Sequence, residues 1–198
     1  MNIREELLRE HSLTNAKAIA AFACSSNKNF KLLFSCFTAD EYRLAQHAAW
    51  SVSWCAKMQP QIIKPYIKQL VDMIDKPGVH DAVKRNSLRI LKEINIPEDI
   101  HGILMDKCFI MVEDPQAPIA PKAFALQVLY NLTKIYPEIK DELKLVIEER
   151  MPTETAAFKS RSNKILKAYL DENEIYEVCS FYCYYVFLPD MLFAKTNY

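Results

Sequence analysis

Four segments of the chain align without gaps: Ser51-Val52-Ser53-Trp54, Arg89-Ile90-Leu91-Lys92, Gln127-Val128-Leu129-Tyr130 and Lys164-Ile165-Leu166-Lys167, at offsets of 38, 38 and 37 residues. A fixed period of this size marks an array of supersecondary units, none of which can bury its apolar side alone. Two positions before each segment start stands a small residue: Ala49, Ser87, Ala125 and Ser162. Val52, Ile90, Val128 and Ile165 form a β-branched column, and Ala56, Ile94, Leu132 and Tyr169 follow four positions on. Positions 49, 52, 53 and 56 share one face of a helix, so the columns predict a buried stripe on one helix per repeat. The small column predicts close approach by a neighbouring helix.

A second apolar helix is predicted after each of the first three, over 61–74, 98–112 and 138–150. Each is introduced by a proline, Pro60, Pro97 or Pro137. Proline is tolerated at a helix start, where its missing N–H has no helical partner anyway. Pro77, Pro115 and Pro152 mark the turns between repeats. Before residue 41 the pattern weakens. A helix over 3–9 and a pair over 15–23 and 28–37 are expected there, with a capping box in which Glu41 reaches back to Thr38. The segment 174–198 is aromatic-rich and nearly uncharged. It reads as a cap or tail on a repeat region spanning 1–173, and proline and acidic interruptions argue against a membrane span.

These two-helix units resemble HEAT repeats over roughly residues 14 to 170. The resemblance implies an all-α fold, a right-handed α-α superhelix of about four to five helix pairs. The stretches from Pro137 to Glu149 and from Ala156 to Leu170 are similar to the C-terminal end of short bacterial HEAT-like chains, some of which carry an adenylosuccinate lyase label. The resemblance implies a fold and no catalytic residue, because the serine-bearing, glycine-containing mobile loop of that lyase family is missing.

The chemistry-bearing motifs are few. Only two glycines occur, Gly78 and Gly102, so no glycine-rich phosphate loop can be written and no cofactor is expected. The histidines at 11, 47, 80 and 101 and the six cysteines form no metal-ligand spacing, and the thiols are expected to be reduced and packed. His47 is expected at the surface or half-buried. The N-terminus lacks a signal-peptide core, from which a cytoplasmic location is expected.

Lys plus Arg and Asp plus Glu are each 25, and zero net charge gives no general attraction to nucleic acid. One local feature could supply it. Lys84, Lys122 and Lys159 form a column that stacked repeats would turn into a basic ridge, at about 10 Å per step. HEAT-like DNA glycosylases hold duplex backbone on such a surface. The alternative is a set of ordinary solvated helix faces. Trp50 and Trp54, four apart beside the core stripe, read as boundary packing or as a partner-binding aromatic patch. The preferred reading is a non-enzymatic scaffold binding a protein or peptide on its concave face, lined mainly by each repeat's second helix. A nucleic-acid-backbone binder and a small lyase or hydrolase are the alternatives.

Overall fold

The computed structural model describes residues 1–187, with side chains through residue 171. Ten α-helices and no strands occur among the described residues. They are α1 (Ile3–Arg9), α2 (Leu13–Cys24), α3 (Asn27–Phe37), α4 (Tyr42–Met58), α5 (Ile67–Asp72), α6 (Asp81–Leu91), α7 (Glu98–Glu113), α8 (Ile119–Thr133), α9 (Lys140–Arg150) and α10 (Ala156–Phe187). The expected division at residue 173 falls inside α10. The packing of the 174–198 segment lies outside the described residues.

The even-numbered helices form one layer. α2, α4, α6, α8 and α10 each pack closely on the next. Neighbouring odd-numbered helices touch far less. The repeat columns explain the layer. Ala49, Ser87, Ala125 and Ser162 are completely buried, and without side-chain bulk they let adjacent even helices come together. Val52, Ile90, Val128 and Ile165 are at most 2% exposed, the equivalent burial that the alignment predicts. Each such side chain contributes about 1.5–3 kcal/mol on leaving water. Phe30, Phe37 and Phe158 fill the largest fully buried positions.

Three local expectations are corrected. The second helix of the first full repeat does not run from 61 to 74. It breaks into 3-10 turns at Pro60–Ile62 and Lys64–Tyr66 before α5 begins. Pro65 is the cause, because its ring removes a donor and crowds the carbonyl four residues back. The 38–41 capping box does not form. Thr38 instead donates from Oγ1 to the Phe34 carbonyl at 3.2 Å, and Glu41 pairs with Arg4 of α1. Third, α4, α6 and α8 pack more closely on the odd helix before them than on the one after. The structural hairpins are therefore α3–α4, α5–α6 and α7–α8, half a repeat out of phase with the sequence pairing. The turn into α6 is closed by Gly78 at φ +74°, the left-handed region that glycine enters without a Cβ penalty.

Candidate functional site

The repeat geometry places a cleft on the outward side of the even layer. Helix α4 supplies Trp50, Ser53, Trp54 and Lys57. Helix α6 supplies Arg89, with Lys92 and Glu93 just beyond its end, and α8 supplies Phe124. The cleft encloses about 560 Å³. A second hollow of about 400 Å³, lined by His11, Gln46, Trp50, Arg85, Asn86 and Arg89, shares Trp50 and Arg89 with it. These positions recur because residues three and four apart on one helix share a face, and the repeat sets the faces side by side.

Aromatic rings hold cations around this cleft. Lys17 and Lys57 place their ammonium groups 4.6 and 5.4 Å from the Trp54 ring centroid. Arg89 and Lys92 lie 5.3 and 5.7 Å from the Phe124 centroid. Trp50 packs on the His11 ring at 5.3 Å. Such contacts are worth about 0.5–2 kcal/mol each and fix where a long side chain ends. The acid lining the cleft, Glu93, is tied to Lys92. That hydrogen bond holds its carboxyl below the usual range, so Glu93 stays ionised near neutral pH. Burial lowers the Arg89 guanidinium, and the neighbouring Arg85 charge lowers it further.

A hydrogen-bonded ladder continues along the layer. Arg161 of α10 donates to Gln127 Oε1 at 2.7 Å, and Gln127 donates to Asn131 Oδ1 at 3.1 Å. Asn131 donates to the Lys92 carbonyl at 2.8 Å. These bonds cross α10, α8 and the end of α6, and they stiffen the floor beside the cleft.

The tryptophans of the sequence reading fall in the site, whereas the lysine column does not form a ridge. Trp50 and Trp54 are half-buried and form one wall. Lys122, read either as part of a basic ridge or as an ordinary solvated face, is 2% exposed and paired with Glu154 at 2.6 Å. Arg150 also donates to Glu154, at 3.1 Å. Burial pushes the Glu154 carboxyl up, but the hydrogen bonds from Lys122 and Arg150 outweigh it and hold the carboxyl below its ordinary value. The middle of the column is thus neutralised and enclosed. Lys84 is half-buried, and Lys159 donates to the Pro152 carbonyl at 3.4 Å. Arg85, Arg89 and Phe124 escaped selection from the sequence. Arg85 and Arg89 lie beside Lys84 in the sequence, yet only stacking shows that they share a hollow with Trp50.

His47, expected at the surface or half-buried, is buried and donates from Nδ1 to the Leu7 carbonyl, while its ring stacks on His11 at 4.1 Å. It holds α1 against α4. Cys55 and Cys108 are buried, and burial pushes both thiols far up, as packed core groups rather than nucleophiles. Among the described residues no helix is long and apolar enough to cross a membrane.

No curated protein and no solved structure matches the chain. A family model described as HEAT repeat domain matches residues 3–169. That span takes in α1 through α9 and the start of α10, the layer with its small-residue columns and the whole cleft, and the chain belongs to the HEAT repeat domain family.

Proposed function

We propose that this protein is a non-enzymatic scaffold that receives a protein or peptide in the cleft of its even-helix layer. The observation that carries the reading is the cleft between α4, α6 and α8, walled by the half-buried rings of Trp50, Trp54 and Phe124. Half-buried aromatic side chains in a concave setting are the usual anchors of protein interfaces. A binding role also suits the chemistry of the lining. Glu93, the acid that lines the cleft, is committed to Lys92. The cleft lies on α4, α6 and α8, the helices that carry the aligned columns, and not on the second helices over 61–74, 98–112 and 138–150 that the repeat pattern favours as the lining.

The nucleic-acid-backbone alternative loses its main support with Lys122, whose charge is spent on Glu154 inside the protein. A photo-crosslinking amino acid in place of Ser53, which lines the cleft, tests the reading. Irradiation in native lysate should yield protein adducts that resist nuclease and disappear when Trp54→Ala and Phe124→Ala are added. Nuclease-sensitive adducts, or adducts equally abundant with the cleft variant, would overturn it.

A further inference from the structure

We propose that the cleft recognises an acidic segment of a partner protein, whose carboxylates pair with Arg85 and Arg89 while a neighbouring apolar side chain enters the hollow between Trp54 and Phe124. The inference rests on the protein-binding reading above and specifies the chemistry of the partner.

Arg85 and Arg89 stand four apart on α6, on one face of the helix, and both are half-buried. Neither belongs to an ion pair among the described residues, where Arg4, Arg9 and Arg150 each have a carboxylate. The Nε of Arg85 is buried without a hydrogen-bond partner. Arg89 reaches only the amide oxygen of Asn86, at 3.4 Å. Two half-buried guanidinium groups lining one hollow disfavour each other, and a partly desolvated cation without a counter-charge is costly. A carboxylate between them would relieve both. Guanidinium forks bind carboxylates through two parallel hydrogen bonds, and the Phe124 ring under Arg89 already restricts where its fork points.

The surroundings extend the same charge. Lys17 and Lys57 flank Trp54. The opposing acid is Glu93, held by Lys92. An acidic partner therefore meets complementary potential, while the 560 Å³ cleft next to the arginines offers room for an aromatic or branched side chain.

The layer argues against a nucleic acid in this place. A phosphate backbone needs a basic track along the layer, and the track ends where Lys122 is enclosed with Glu154.

The test is selection of a phage-displayed library of random short peptides against the immobilised full chain, run in parallel on wild type and on Arg85→Gln/Arg89→Gln. Neither arginine has a carboxylate partner, but Arg89 packs on Phe124 and reaches Asn86, so a thermal melt first checks that the variant is folded. If the double variant does not fold, Arg85→Lys/Arg89→Lys, which keeps charge and loses the fork, takes its place. Enriched peptides are expected to carry Asp or Glu beside an aromatic residue or leucine. Their affinity should fall about tenfold or more on the variant, the scale of losing charge-assisted hydrogen bonds. Enriched peptides without acids, or peptides that bind both baits equally, would overturn the acidic-segment proposal and leave the protein-binding reading standing. Failure to enrich any peptide on wild type would overturn both. A labelled oligothymidylate is titrated alongside. If it binds more tightly than the selected peptides and loses binding in the double variant, the site belongs to a nucleic acid and the proposal fails.

Discussion

The two layers of helices solve the same problem with different strictness. An even helix such as α8 is enclosed by α6, α10 and α7, so little of its surface is left for variation. Its large exposed apolar residue, Ile119, stands at the first position of the helix. An odd helix has one covered side. Leu32 of α3, Ile103 and Ile110 of α7 and Leu145 of α9 are at least 50% exposed in mid-helix. The odd layer also tolerates the break at Pro65, while α4 and α8 run unbroken for 17 and 15 residues. Order along the stack is thus held by the even layer, and the same layer carries the cleft. A binding face built on the most constrained helices is already organised before a partner arrives, which lowers the entropic cost of association.

The joint between the layers should give the largest effect. Lys122 and Glu154 have side chains only 3% and 7% exposed. Glu154→Gln leaves a buried ammonium without a counter-charge and should cost about 3–5 kcal/mol. Urea unfolding at neutral pH measures it. The acid limb gives a second readout. The Glu154 carboxyl titrates lower folded than unfolded, so its stabilisation is present above the ordinary carboxylate pKa and is lost as pH falls through the folded value. Wild type should lose stability over that acid range, and the variant should lose less. Parallel curves would show that the pair does not support the joint.

Overpacking comes next. Ala125→Leu adds bulk at a completely buried contact between even helices and should destabilise by about 1–3 kcal/mol. Ile110→Ala on the odd layer, at a side chain 67% exposed, should stay within about 0.5 kcal/mol. Equal effects would break the comparison between layers.

The serines of the small column predict a smaller change of opposite sign. The Ser87 hydroxyl is buried without a hydrogen-bond partner. Ser87→Ala keeps the column narrow and removes an unsatisfied group, so it should be neutral or stabilise by up to about 1 kcal/mol. A clear loss in the same urea assay would mean that the hydroxyl has a partner in solution.

The smallest expected effect concerns DNA. Mixed-sequence duplex should bind weakly at moderate salt, no tighter than about 10⁻⁶ M, and Lys84→Glu with Lys159→Glu should leave the anisotropy titration almost unchanged. If those lysines touched phosphate, each would alter the salt slope by about one unit. Binding that the double change abolishes would restore the basic ridge.

The contrast between Trp54 and Lys122 shows how far the site could be read in advance. Both occupy repeat columns, Trp54 beside the core stripe and Lys122 in the lysine column. Trp54 reaches the surface because its column lies beside the core stripe, and its ring is large enough to form a wall while partly exposed. Lys122 goes inward because Glu154, in the turn before α10, offers it an acid and Arg150 completes the set. A partner 32 residues away, outside the aligned columns, leaves no periodic signal. Arg85 and Arg89 become a pair of interest for a related reason: nothing local says that acids will be missing around them.

The sequence by itself determined the class of helix, the period and the buried stripe. A column recurring at 38 residues can be satisfied only by stacking equivalent units, and hydrophobic spacing of three and four fixes which helix face turns inward. The phase of the hairpins, the cleft and the fate of each lysine were decided by tertiary structure. A periodic pattern is unchanged when its starting point moves by half a repeat, so only the closeness of α3 to α4, α5 to α6 and α7 to α8 chooses the pairing. Burial and ion pairing depend on residues brought together across repeats, where distance in space no longer follows distance along the chain.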